Sequence, residues 1–187
     1  MKSTLSLIAK DSETYRNFQA NTPFLIGIVA TICCAGFQLG HVIACTNQLH
    51  KFFEAKYPQQ FARDGTSSFY HALIGSSGIF GTTLGAICAN YFMKIGRRNA
   101  FILATLVALG GTITQLLPDF WLLVLGRIIY GLAVGVLSII GPRFIEETVP
   151  DKLLSTYSPM FITSAALGGM MSLILATGLP PDNSPVE

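Results

Sequence analysis

The chain has 187 residues, of which 51% are hydrophobic and 12% charged, and its formal net charge is +2. Soluble domains carry about 25% charged residues, so a chain this poor in charge cannot cover its own surface in water, and the small net charge gives nucleic acid no electrostatic partner. The composition predicts an all-α integral membrane protein, a multi-pass helical bundle with the lipid bilayer as its solvent.

Residues 1–23 are polar and carry Lys2, Lys10, Asp11, Glu13 and Arg16. The apolar stretch Leu5-Ser6-Leu7-Ile8-Ala9 is too short for the core of a cleavable signal peptide, so this segment reads as a cytoplasmic amino-terminal tail. The first span is expected over 24–47. It contains Gly36-Phe37-Gln38-Leu39-Gly40, a spacing that lets a second helix approach closely, and the polar residues Gln38, His41 and Asn47. Polar groups at membrane depth either bond neighbouring helices or face a water-filled path. A polar connection with Lys51, Glu54, Lys56, Arg63 and Asp64 follows.

The second span, 68–93, has Gly75, Gly78, Gly81 and Gly85 on one helical stripe, which predicts a packing seam. It ends at Lys94-Ile95-Gly96-Arg97-Arg98, a basic knot between two charge-free runs, 65–93 and 99–118. A connection this short joins two antiparallel helices on one side of the membrane, and its basic residues place that side in the cytoplasm. The third span is expected over 99–117, and Pro118-Asp119 makes a short outer turn. The fourth, 120–141, carries Arg127, expected to snorkel outward or to face an aqueous vestibule, and the small pair Gly131 and Gly135. Residues 142–152 are expected as a second cytoplasmic loop holding Arg143, Glu146, Glu147, Asp151 and Lys152. The fifth span, 153–179, is expected to be interrupted by Pro159, and 180–187 forms a carboxyl-terminal tail. In this arrangement eight Lys and Arg residues lie inside and three outside, which favours a cytoplasmic amino terminus.

No catalytic constellation stands out, and an enzyme is not expected. His41, His50 and His71 are scattered along the membrane ends. Cys33, Cys34, Cys45 and Cys88 form no C-x-x-C pair and have no matching histidines, so neither a metal nor a disulfide framework is supported, and nothing implies a cofactor. They read as small buried apolar side chains.

Several motifs recur in order: Gln38-Leu39-Gly40 with Asn47 in the first span, Gly96-Arg97-Arg98 after the second, Gly126-Arg127 in the fourth, and Pro142-Arg143-Phe144-Ile145-Glu146-Glu147-Thr148-Val149-Pro150 closing it. Together they resemble the sugar porter branch of the major facilitator superfamily, closest to the facilitative glucose transporters, over nearly the whole of 24–179. The resemblance implies a bundle of five of the first six helices of that superfamily's amino-terminal half. It implies a cytoplasmic salt-bridge cluster of Arg97, Arg98 and Glu147 that gates the two transporter halves, and a position for Arg127 and Asn47 near the outer mouth. Gln38, Asn47 and Thr163 become the candidate substrate-binding residues, and Gly96, Pro142 and Pro150 the structural ones.

Three positions depart from the family pattern. Met93 stands where an acidic or amide residue is usual, Leu154-Ser155 replaces an R-G pair, and Ile162 replaces a hexose-binding glutamine. The implied function is transport of a hexose or similar small polar solute at the plasma membrane by alternating access. No coupling carboxylate lies within the spans, which leans toward facilitated diffusion. The chain reads as a truncated amino-terminal portion whose partner is the missing carboxyl-terminal half or another membrane protein. The alternative is a non-transporting membrane protein that associates with other membrane helices through exposed glycine seams.

Overall fold

The computed structural model describes residues 22–48, 53, 57, 67–149 and 151–177. They form five long helices: α1 (Thr22–Gln48), α2 (Ser67–Met93), α3 (Arg97–Gln115), α4 (Phe120–Thr148) and α5 (Asp151–Thr177). At 1.5 Å per residue the shortest, α3 with 19 residues, is about 28 Å long, close to the thickness of a hydrocarbon core. By length and composition α1, α2, α4 and α5 are each apolar enough to cross a membrane. α3 is less apolar because it starts on Arg97-Arg98-Asn99 and ends on Gln115.

The hub of the bundle is α4. Its most extensive contacts are with α2 and then α3, and it also touches α1, while α5 packs mainly on α1. Lipid gives apolar helices no hydrophobic reason to associate, so close backbone approach must do that work. On the α2–α4 interface a Cβ at Gly81 or Gly85 would drive into the carbonyls of Ile128 and Leu132, and one at Gly131 or Gly135 into those of Gly78 and Thr82. The α1–α5 interface repeats the device, with Gly36 and Gly40 against Phe161 and Ala165 and Gly168 against Phe37. On α3–α4 a Cβ at Gly111 would lie 2.7 Å from Tyr130 N. These seams are therefore spent inside the bundle. The expectation that they remain exposed for other proteins is corrected, as is the inclusion of Gly75, which has open space around it.

Two apolar clusters cap the hub. One gathers Val29, Ile32, Ala100, Ala104, Leu137, Ile140, Ile145 and Phe161. The other, at the opposite end of α4, gathers Phe53, Tyr57, Ile74, Phe120, Leu123 and Val124. Phe120 is its centre, edge-on to Tyr57 at 5.7 Å and to Tyr70 at 5.3 Å between ring centroids, a geometry that sets the positive rim of one ring on the negative face of the next.

The basic knot is a turn built on Gly96. The amides of Lys94, Ile95 and Gly96 donate back to the carbonyls of Tyr91, Phe92 and Met93, and the Gly96 carbonyl accepts from Ala100 N at 2.9 Å to start α3. Gly96 has φ 99°, which an L side chain rarely adopts. At the other end Asp119 caps α4, its carboxylate accepting from Trp121 N at 3.4 Å.

Two expectations about breaks are corrected. Residues 142–148 are not loop: α4 continues through Pro142 to Thr148. Likewise α5 runs unbroken through Pro159. A proline removes one hydrogen bond and crowds the carbonyl four residues back, but membrane helices tolerate it where neighbouring helices hold the chain. Ile145 and Phe161, beyond the two prolines, are buried at 0% and 5% exposure and hold both helices against the bundle. The two tails, most of 49–66, and Pro150 lie outside the described residues.

Candidate functional site

One face of α1 carries Gln38, His41 and Cys45, side chains able to hydrogen-bond. These residues are spaced i, i+3 and i+7, so they share one stripe. Arg127 of α4 meets it, its Nη2 donating to Cys45 Sγ at 3.2 Å, and its guanidinium passes Gly78 of α2, where an added Cβ would lie 3.9 Å from Nε. Arg127 is 4% exposed. It neither snorkels outward nor faces an open vestibule, correcting the expectation: glycine at position 78 lets α4 bring it between α1 and α2. An arginine at bilayer depth costs about 2.5–3.5 kcal/mol at a helix centre, so bundle contacts must offset that cost.

From the same stripe His41 Nδ1 lies 2.6 Å from Ser172 Oγ of α5, the direction of the bond following the imidazole tautomer. Ser172 is buried and its one hydroxyl proton goes to Gly168 O at 3.0 Å, so in that arrangement it accepts from the Nδ1–H tautomer of His41. Gln38 is half-buried, and its Oε1 is shielded from solvent without a hydrogen-bond partner. Such an acceptor carries its desolvation cost uncompensated. Thr163 is exposed and donates to Pro159 O of its own helix at 3.0 Å. It does not bond Gln38. Asn47 sits in the last turn of α1; its side chain lies outside the described residues.

The basic end of the bundle holds a second constellation. Arg97 Nη1 and Glu147 Oε2 form an ion pair between the start of α3 and the end of α4, with side chains 36% and 47% exposed. Arg98 does not join that pair. It lines a cleft of about 240 Å³ between α1, α3 and α4. Arg143 turns to Met93, its Nη1 lying 3.6 Å from Sδ. Lys94 Nζ stands 5.6 Å over the Tyr91 ring. Of the expected trio the structure joins Arg97 to Glu147 and directs Arg98 elsewhere.

Sequence reasoning missed Cys45, Ser172 and Gln115. Ser172 follows Gly168 at a spacing of four, a small-residue pair that could have signalled the α1 contact. Gln115 clamps the α3–α4 turn by donating from Nε2 to Gly111 O and Gly126 O, each at 3.3 Å. Cys45 carried no signal. No group of three or more metal-ligating side chains occurs among the described residues.

A family model described as "Sugar (and other) transporter" matches residues 25–184. The chain belongs to this sugar transporter family. It is an integral membrane protein with the all-α architecture of the amino-terminal half of the major facilitator superfamily. The chain is 30% identical over 162 residues to a D-xylose-proton symporter-like 2 protein of Arabidopsis thaliana, covering 84% of this chain and 31% of that protein. It is 30% identical over 102 residues to the galactose-proton symporter of Escherichia coli strain K12, covering 52% and 22%. A glucose transporter 2C of Trypanosoma brucei brucei is 28% identical over 130 residues, covering 65% and 39%. The chain therefore spans well under half the length of these relatives.

Proposed function

We propose that this chain forms one wall of a sugar-translocation path in the plasma membrane, moving a hexose or similar small polar solute by alternating access. The observation that carries the reading is the polar stripe of α1, where Cys45 receives Arg127 of α4, His41 lies beside Ser172 of α5, and Gln38 stands one turn along the same face. Gln38 presents a shielded oxygen with no protein donor, which a sugar hydroxyl could satisfy. Asn47 and Thr163 are the other candidate substrate contacts. Arg97, Glu147 and Arg98 are the candidate gate at the cytoplasmic end, with the amino terminus also in the cytoplasm. A second bundle, on the same polypeptide or another, supplies the opposite wall. The facilitative reading is supported by the place of the carboxylates: among the described residues Asp119, Glu146, Glu147 and Asp151 all stand at helix ends, and the titratable group at depth is a histidine, His41. The relatives named as proton symporters make this a sharp distinction.

One observation favours the alternative of a non-transporting membrane protein that associates with other helices. Ile162, at the position where the resemblance places a sugar-binding glutamine, is 73% exposed. An apolar side chain there offers a sugar nothing for the water it loses.

The test is uptake of labelled hexose into proteoliposomes, using the chain alone and the chain joined to a second transporter half. Saturable uptake by the joined form, unchanged when the pH gradient is collapsed, is expected. Absence of saturable uptake in the joined form would favour the alternative, and dependence on a proton gradient would overturn the facilitative reading.

A further inference from the structure

The cleft at the basic end of the bundle is distinct from the polar stripe of α1. Ile28 and Ile32 of α1, Phe101 and Ile102 of α3, and Phe144 of α4 wall it, with Arg98 beside them. Thr31, whose hydroxyl already donates to Gly27 O at 2.8 Å, is the one other polar contributor. A wall this apolar does not fit a sugar, whose hydroxyls need polar replacements for water. Nor does it fit a free inorganic anion, which could use only the arginine.

Charge decides the occupant. Arg97 is taken by Glu147, Arg143 lies on Met93 and Lys94 lies over Tyr91, whereas no ion pair joins Arg98 to another described residue. The α3 terminus that bears Arg98 has no acidic residue in its first turn, and its N-cap, Gly96, makes no side-chain capping bond, so the helix dipole adds to the positive field. Ile102 is 50% exposed beside the cleft, opening it sideways to the hydrocarbon. A cation at the membrane edge over an apolar, lipid-facing slot matches one chemistry: an anionic headgroup with an acyl chain attached.

We propose that this cleft binds an anionic phospholipid of the leaflet at the basic end of the bundle, with Arg98 holding the phosphate and Ile28, Phe101 and Ile102 holding the upper acyl chain. On the orientation proposed above this is the cytoplasmic leaflet, whose anionic lipids attract juxtamembrane cations. Lipid binding does not depend on sugar transport, so the two readings fail separately.

The experiment is native mass spectrometry of the full 187-residue chain in detergent, titrated with phosphatidylglycerol, phosphatidylcholine and inorganic phosphate in separate arms. Preferential retention of phosphatidylglycerol is expected. Arg98→Gln should weaken it about fivefold, the effect of one interfacial cation. Ile102→Trp should weaken it by filling the slot without changing charge. Arg143→Gln, which removes the same charge at the same end, should leave it within twofold. Circular dichroism establishes that each variant keeps its helices, and Arg98→Lys, which retains the charge, stands in if Arg98→Gln does not fold and should bind within twofold of the parent. Equal loss in Arg98→Gln and Arg143→Gln would reduce the effect to bulk charge and overturn the site. Equal retention of phosphatidylcholine, no effect of Ile102→Trp, or competition by inorganic phosphate alone would overturn it as well.

Discussion

Arg143 Nη1 lies 3.6 Å from Met93 Sδ, joining the penultimate turn of α4 to the last residue of α2. A thioether is a weak acceptor, so an arginine is being held by a partner that cannot neutralise it. Met93 also occupies the position where the resemblance places an acidic or amide residue. Met93→Glu should therefore replace a weak contact with a charge-assisted pair. Arg143 is exposed, and exposed pairs contribute about 0.2–1 kcal/mol, so the gain is a rise of at most about 4 °C in thermal unfolding midpoint in detergent, reduced by salt. An unchanged or lower midpoint at low salt would show that Arg143 does not stand where a carboxylate at 93 can reach it.

The seam between α2 and α4 makes a paired prediction. A Cβ at Gly85 would collide with the Leu132 carbonyl, whereas one at Gly75 would meet nothing within 4 Å. Both glycines lie inside one helix, so helix propensity favours alanine at each by about 1 kcal/mol. Overpacking against rigid backbone costs about 1–3 kcal/mol. Gly75→Ala should thus be neutral or stabilising, and Gly85→Ala destabilising, in thermal unfolding followed by circular dichroism. Equal effects would mean that the four-glycine stripe acts as a unit.

Gln38 separates stability from function. Its shielded Oε1 has no partner, so Gln38→Leu removes an uncompensated acceptor of similar size and should leave stability unchanged or raise it by about 1 kcal/mol. If the oxygen waits for a sugar hydroxyl, the same variant should weaken sugar binding at least tenfold in the transport-competent form. Loss of stability without loss of sugar affinity would make Gln38 a packing residue.

Much of the fold was legible because lipid imposes a simple rule: long charge-free runs must be helices, and charged corners must lie outside the hydrocarbon. Lys94 to Arg98 and Pro118-Asp119 marked their turns for that reason. Pro142 and Pro159 misled because proline's local cost was weighed without Ile145 and Phe161, whose burial carries the helices through. The environment of Arg127 was hidden for a different reason. Whether an arginine snorkels or is enclosed depends on which helices flank it, and Gly78 and Cys45 lie far from it in sequence. The ordered motifs singled out Gln38 on α1 and Arg97, Arg98 and Glu147 at the basic end, but the partners of Arg127 and His41, and the division of labour that sends Arg97 to an ion pair and Arg98 to a cleft, depend on helix packing and side-chain direction that spacing cannot specify.

Orientation supplies the last prediction. The turn of Lys94 to Gly96 and the start of α3 hold three cations within five residues. Each would cost about 2.5–3.5 kcal/mol at the bilayer centre, and each gains about 1 kcal/mol near an anionic cytoplasmic surface. The opposite turn, Leu117-Pro118-Asp119, carries no cation. In a cysteine-free background a single cysteine from Lys94→Cys should react with a membrane-impermeant maleimide only after cells are permeabilised, while Leu117→Cys should react in intact cells. Both positions are exposed, so access rather than burial decides the outcome. Removing one of three cations at Lys94 leaves Arg97 and Arg98 to hold the orientation, and Asn99→Cys, also exposed and on the same turn of α3, repeats the test with all three present. Labelling of the 94 and 99 positions from outside would invert the bundle and move both the proposed gate and the lipid cleft to the opposite leaflet.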